Sequence, residues 1–357
     1  MKNDKMLDLY SDYLISAFGQ TTATGLSALL NGEISHDSVQ RFSAEERKTS
    51  SDFWRTVKPY VREIESEDGM IIVDDSICEK PYTDKNEIVC WHYDHSQQPN
   101  VRGINFVTCL YHNTGISLPV GCEVIAKTER YTDPKDGKAK RRSPKTKNEY
   151  YRAMTQQALR TQIKFKYVLN DVWFSSAGNM KFVKLTLKKE FIMPLKAKRK
   201  VAVSLSAERN GHYQKVDTLE LEAMQLVTIY LEGVEFPLLR LKQVFKNEDG
   251  ATGILYLVTS DITLSGDNMA PLYQKRWIVE AYHKSLKQNA SPEKSPTQTV
   301  ATRTNHLFAS PCGFVKLELL KDTTKLNHFA LKSKLYLHAL QSAYATLRDF
   351  HPDSLAA

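Results

Sequence analysis

Apolar positions fall at helical spacing through the first 65 residues and in strand-like runs over much of the chain that follows. Leu7, Tyr10, Leu14 and Phe18 recur every three or four positions, which predicts a helix over 8–18. Gly25-Leu26-Ser27-Ala28-Leu29-Leu30-Asn31-Gly32 reads as a short helix stopped by glycine, and Ser35 opens another that carries Val39 and Phe42. Two short helices around a glycine turn fit a helix-turn-helix and an ordinary helical bundle equally well. In the first case His36, Ser38, Gln40 and Arg41 are the groove-contact candidates.

The period then changes. Residues 70–73 are an apolar run followed by Asp74-Asp75-Ser76, which predicts a buried strand ending in carboxylates. Segments 101–111 and 116–125 are rich in β-formers, with Asn113-Thr114-Gly115 as the hairpin turn. Asn148 is the expected cap of a helix with Tyr151, Met154, Ala158 and Leu159 inside. A strand over 165–170 ends at Asp171, a helix over 178–188 follows with Met180, Val183 and Leu187 on one side, and 191–195 is a further short strand. From 200 to 260 nearly everything reads as strand (201–205, 226–231, 238–245, 254–258), with a turn at Asn247-Glu248-Asp249-Gly250. Long helices over 299–320 and 326–348 complete the chain, and no internal repeat is present.

One later stretch gathers chemistry. Tyr273, Arg276, Glu280 and Lys287 follow one another at steps of three, four and seven, so a continuous helix presents all four on one face, with His283 on the same stripe. Trp277, Ile278, Ala281 and Leu286 are then the residues that pack this helix on a core. An Arg–Glu pair four apart is commonly just a surface ion pair worth about 0.3–0.5 kcal/mol. A metal-holding carboxylate flanked by phosphate-binding cations accounts for the whole row.

Composition narrows the function. A chain of 357 residues predicts two or three structural units, and 41 % apolar content is ample for a core. A formal charge of +8 favours a polyanionic partner, nucleic acid before membrane surface. No run of eighteen apolar residues argues for a membrane span, and residues 1–10 lack a signal-peptide core, so the expected location is the cytoplasm. The five cysteines (78, 90, 109, 122, 312) read as reduced thiols. Cys90, His92 and His95, with Cys78 upstream, lack zinc-ligand spacing and read better as an alternating strand. The segment 135–147 holds seven basic residues to one acid and reads as a mobile surface loop. It is either a solvated segment or, beside a nucleic-acid site, a phosphate contact through Lys140, Arg141 and Arg142.

Two strand-end acids and one helical acid can share a pocket. Carboxylates brought that close stay ionised only when cations neutralise them, and two Mg²⁺ or Mn²⁺ ions about 3.5–4 Å apart do so while supporting phosphoryl transfer. Singly, Asp75 and Asp171 would be ordinary strand-end or capping acids; the row around Glu280 is what links them.

The row Tyr273-x2-Arg276-x3-Glu280-x6-Lys287 resembles the signature of the insertion sequence 4 family of bacterial DDE transposases, as do Asp74-Asp75-Ser76 and the context Val168-Leu169-Asn170-Asp171-Val172-Trp173-Phe174. The likeness covers roughly 20–320 and implies an α/β, ribonuclease-H-like catalytic core with an inserted β subdomain and an N-terminal helical domain. The division it implies is 1–66 helical and DNA-binding, 67–199 first part of the core, 200–262 β insertion, and 263–357 second part of the core. By the family pattern Asp75, Asp171 and Glu280 form the metal triad, with Asp74 the rival for the first place; Asp75 is preferred because it directly precedes Ser76. Tyr273, Arg276 and Lys287 would hold DNA phosphate. The implied activity is cutting at an element's inverted repeats and joining of the 3′-hydroxyls to target DNA, through a hairpin intermediate, by a dimer assembled on paired ends in the bacterial nucleoid. The family's base-stacking aromatic is matched most nearly by Tyr256 on the strand Ile254-Leu255-Tyr256-Leu257-Val258, where Leu255 occupies the closest position. Alternatives are a related nuclease or resolvase that cuts without joining, and an inactive DNA-binding relative.

Overall fold

The computed structural model describes residues 2–93, 100–134, 137–220, 222–246 and 250–350. Four helices open the chain: α1 (Lys2–Ser16), α2 (Ala23–Leu29), α3 (His36–Ala44) and α4 (Ser50–Ile64). Strands β1 (Met70–Glu79), β2 (Val89–Tyr93), β3 (Asn100–Asn113), β4 (Ile116–Val124), β5 (Glu129–Thr132) and β6 (Ala139–Arg142) follow. Helix α5 (Lys147–Arg160), strand β7 (Tyr167–Asn170), helix α6 (Ala177–Lys181) with a π-helical extension (Phe182–Thr186), and strand β8 (Glu190–Leu195) come next. Then come β9 (Lys200–Ala202), α7 (Leu205–Arg209), β10 (Gln214–Lys215), β11 (Leu226–Leu231), β12 (Leu238–Lys246) and β13 (Thr252–Thr259). Helices α8 (Gly266–Gln274), α9 (Ile278–Asn289), α10 (Val300–Thr324) and α11 (His328–Phe350) end it.

The chain packs as two compact units, one of 1–56, 77–104 and 282–357, the other of 57–76 and 105–281. In the first, the amphipathic N-terminal helices close over α10: Tyr10, Tyr13, Leu14, Leu26, Val39 and Phe42 share one core with Ala309. Ser35 caps α3 as its position predicts, accepting from the Ser38 N–H. Asn31 and Gly32, both at positive φ, make the turn between α2 and α3. Buried His306 ties α1 to the loop before α10, with one ring nitrogen 2.9 Å from the Tyr10 hydroxyl and the other 2.9 Å from the Ser291 carbonyl. Cys90 and His92 lie on β2, as alternating strand residues; His95 is outside the described residues.

The second unit is built on a mixed sheet in which β7 lies parallel to both β1 and β8. Apolar β1 and β7 segments, buried on both faces, are what a central parallel pair requires. β13 adds antiparallel to β8, then β12 and β11 follow outward. The β-rich text between 200 and 260 thus extends the same sheet that carries β1 and β7. The β3–β4 hairpin turns at Thr114 and Gly115, both at positive φ.

Several local expectations need correction. The acids at 74 and 75 lie inside β1, which continues to Glu79, because Ser76, Ile77 and Cys78 keep extended backbone after the carboxylates. The basic segment is largely a hairpin: β5 and β6 pair antiparallel, with Lys140 bound to Asp133 and Arg142 Nε donating to Glu129 at 2.9 Å; Lys135 is outside the described residues. Thr146, not Asn148, caps α5, in a reciprocal capping box with Glu149. The strand expected over 201–205 stops at Ala202, since Ser204 caps α7. Of the expected turn at 247–250, only Gly250 is among the described residues.

Candidate active site

Register decides which acids meet. In the parallel β1–β7 pair Ile72 is level with Leu169 and Val73 with Asn170, and Asp74 and Asp171 each follow directly on the last paired residues. Side chains alternate along a strand, so Asp74 and Asp75 leave β1 on opposite faces, yet both are close enough for their charges to act on or feel Asp171. Asp171 follows the last β7 residue, and its Oδ1 accepts the Trp173 and Phe174 N–H groups at 3.0 and 3.2 Å, which fixes the carboxylate at the strand end.

The third acid arrives on a helix that is not continuous. α8 ends at Gln274, a tight 3₁₀ turn spans Lys275–Trp277, and α9 begins at Ile278. The break changes the facing expected from unbroken 3.6-residue spacing. Trp277 is turned outward and is 60 % exposed, while Val279, Tyr282 and Leu286 are buried. Ala281 is exposed and Ile278 half-buried. Tyr273 and Arg276 remain inward: the Tyr273 hydroxyl donates to the Asn170 carbonyl at 3.3 Å. Arg276 Nη1 lies 3.2 Å from Glu280 and 3.7 Å from Asp74, and its guanidinium stacks 4.5 Å from the Trp277 ring. Asp74 and Glu280 offer oxygens within 4.8 Å of each other.

These acids are poor company for one another. Burial, then the charges of Asp171, Asp75 and Glu280, push the Asp74 carboxyl up to about 8. Burial also raises Asp171, opposed by the Phe174 and Trp173 N–H groups and by Arg276, and aided by Asp75. Burial works against the Arg276 charge, but Tyr273, Asp74 and Glu280 outweigh it and raise its pKa. The site is therefore an electron-rich oxygen cluster with one buried cation. Hard oxygen donors at this separation are the ligand type that Mg²⁺ and Mn²⁺ take, so the residues fit a divalent ion.

Asp75 has different partners. Its Oδ2 accepts from Lys147 Nζ at 2.6 Å and from Asn105 Nδ2 at 2.8 Å. Lys147 also sits 5.2 Å from the ring of Trp173, which is 42 % exposed beside Asp171. Asp74 and Asp75 thus both stand near Asp171, Asp74 against Arg276 and Asp75 against Lys147 and Asn105. Spacing alone does not single out Lys147 or Asn105: Lys147 is one of many basic residues in its segment, and an isolated Asn on a strand carries no signal.

Lys287 lies two turns beyond Glu280 on α9, half-buried and in electrostatic reach of Glu293 and Cys78. Buried His283 follows one turn after Glu280. Lys140, Arg141 and Arg142 stand exposed on β6. Tyr256 is only 8 % exposed, and the fully buried Arg240 guanidinium lies 4.9 Å from its ring, so that ring is enclosed in the sheet's packing.

The comparisons with known proteins agree with this geometry. The family model described as DDE superfamily endonuclease matches residues 2–214, and the one described as transposase DDE domain matches residues 137–310. The chain belongs to the DDE superfamily endonucleases. It is accordingly a transposase or endonuclease of the metal-dependent DDE type, with DNA as its partner. No match was found among curated proteins. Among the described residues no helix is long and apolar enough to cross a membrane.

Proposed function

We propose that this protein is a DNA transposase that cuts at the ends of its own insertion sequence and joins the freed 3′-hydroxyls to target DNA, with Asp74, Asp171 and Glu280 as its acidic triad. The observation that supports the reading is that β1 and β7 pair in parallel up to Val73 and Asn170, directly before Asp74 and Asp171, while Arg276 lies between Asp74 and Glu280. When bound, Mg²⁺ or Mn²⁺, two ions per site, would neutralise the carboxylates and polarise the phosphodiester oxygens.

The chain's own residues have separable tasks in this scheme. Asp171 is pre-aimed by two backbone N–H groups, so its carboxylate costs little to order. Tyr273, bonded to the Asn170 carbonyl, pins α8 to the end of β7 and keeps the Arg276 turn against the acids. Arg276 supplies a permanent planar charge where a DNA phosphate would enter, with Trp277 backing its guanidinium. Lys287, further along α9, and the exposed cations of β6 would track the DNA backbone. In each transfer the attacking oxygen, of water or of a 3′-hydroxyl, bonds phosphorus as the opposite P–O bond breaks and the leaving oxygen takes a proton. Tyr256 is left out of the scheme, since its ring is enclosed; release through a DNA hairpin would need another base platform. We also place DNA-end recognition on the N-terminal helices, with α3 presenting His36, Gln40 and Arg41.

The test is incubation of the full chain with the inverted-repeat ends of its element and Mg²⁺. Nicks at the ends followed by joined products support the reading; nicks that never join reduce the protein to a nuclease.

A further inference from the structure

Two cations of the first unit are buried without an acid to hold. Lys80, directly after β1, and Arg303, in the first turn of α10, are 7 and 6 % exposed. Lys80 Nζ donates to the Glu293 and Ser295 carbonyls at 2.5 and 3.5 Å, and Arg303 Nε donates to the Thr297 carbonyl at 2.7 Å. Among the described residues neither cation forms an ion pair with a carboxylate, and the Arg303 Nη groups make no hydrogen bond. Burial lowers the Lys80 pKa, and the Arg303 charge adds to the shift while Cys78 and Glu293 oppose it. Burial lowers Arg303 as well, opposed by Asp84. The two cations therefore lie close enough to repel each other. A buried charge surrounded only by carbonyl dipoles is costly, and an anion that reaches both would offset the cost.

Such an anion has a place to sit. Both cations line an open cavity of about 780 Å³, formed by the chain after β1 and the loop before α10 and belonging wholly to the first unit. Small-molecule sites commonly have about 300–1,000 Å³. Three acids line the cavity too, but Glu79, Asp84 and Glu293 are all exposed, where water and salt screen them. The buried wall is thus cationic while the acids face solvent.

Two positive charges match a dianion. A phosphate monoester carries about 1.5–2 negative charges at pH 7, more than the single charge of a backbone diester. The cavity is also lined by Tyr82, which is 99 % exposed. An aromatic ring standing in water is a platform for a nucleobase, since every base has a π face. The exposed carboxylates of Glu79 and Asp84 can accept from sugar hydroxyls.

We propose that this cavity binds a nucleoside 5′-monophosphate, with the phosphate on Lys80 and Arg303 and the base against Tyr82. A free nucleotide and the phosphorylated 5′ end of a strand share this chemistry. The site goes beyond the proposed reaction and needs no divalent ion.

Isothermal titration calorimetry of the full chain in EDTA, which removes binding through a metal, tests it. Deoxyadenosine 5′-monophosphate should bind, and deoxyadenosine, which lacks the phosphate, should bind at least about 100-fold more weakly. Arg303→Gln should weaken the nucleotide at least about tenfold. Tyr82→Ala changes an exposed ring and should weaken the nucleotide about tenfold while leaving the affinity for inorganic phosphate unchanged. A short single strand with a 5′-phosphate that binds more tightly than the free nucleotide supports the proposal with strand ends as the source. One that binds no more tightly supports it with the free nucleotide as the source. A nucleotide that gives no binding up to millimolar concentration overturns the proposal. So does a nucleoside that binds as well as the nucleotide, or unchanged nucleotide affinity in Tyr82→Ala or in an Arg303→Gln protein with the wild-type melting temperature. Should Arg303→Gln fail to fold, the nucleoside and Tyr82→Ala comparisons still decide.

Discussion

Asp74 and Asp75 are neighbours in the chain with different partners, Arg276 beside the first and Lys147 and Asn105 on the second. Sequence context favours Asp75, through Ser76; pairing with β7 favours Asp74. The context could not reveal the register, because register depends on where a strand 97 positions later begins its pairing, as the Met70–Tyr167 match shows. Asp74→Asn should cut end nicking at saturating DNA by at least about 10³-fold with DNA binding kept, whereas Asp75→Asn, which loosens Lys147 and Asn105, should cost about tenfold. Equal losses, or the reverse order, would return the first place to Asp75. A second residue-scale prediction concerns His306. Its burial depresses the imidazole pKa to about 4 from an unfolded 6.5, so between those values the unfolded chain binds the extra proton. Stability from neutral His306 is complete above pH 6.5 and is lost as pH falls towards 4, by roughly 3 kcal/mol at most. Denaturant midpoints across that range should fall, and should fall less in His306→Gln; an equal slope in both proteins would remove His306 as the cause.

At the scale of elements, periodicity locates most helices and strands, and what it misses is termination and breakage. The signature row looks continuous because Tyr273, Arg276, Glu280 and Lys287 keep helical spacing. A three-residue 3₁₀ turn preserves the inward placement of Arg276 but sends Trp277 outward. The basic segment looks like loop because charge dominates it, yet Tyr131 and Thr132 pair across to Lys140 and Ala139. Neutralising Lys140, Arg141 and Arg142 together should lower the slope of log affinity against log salt by about 0.9 for each DNA phosphate that these cations would otherwise neutralise. An unchanged slope would separate the hairpin from DNA. On β13, Tyr256→Ala should destabilise the fold by about 3–5 kcal/mol through loss of a packed ring and exposure of Arg240 to a void. A thermally unaltered variant would mean the ring is more accessible than its 8 % exposure indicates.

At the scale of the whole molecule, composition and motif order are enough to indicate a nucleic-acid enzyme of the DDE type. The packing partners are not legible in the same way. The N-terminal helices can be read one by one, but nothing local says that Tyr10 meets His306 nearly three hundred residues on, or that Phe53 meets Phe308 edge to face. Such pairings depend on chain reversal over long distances, which spacing does not encode. The same holds for the strands of 200–260, whose text shows β structure but not that β13 joins β8. The central claim is that the acids gathered by that assembly perform metal-dependent phosphoryl transfer on DNA. The most direct measurement is strand cleavage of the element's ends by the wild type and by Glu280→Gln, each with Mg²⁺ and with EDTA. The account predicts cleavage only by the wild type with Mg²⁺, with both proteins binding DNA. Cleavage that survives EDTA or the loss of Glu280 would contradict it.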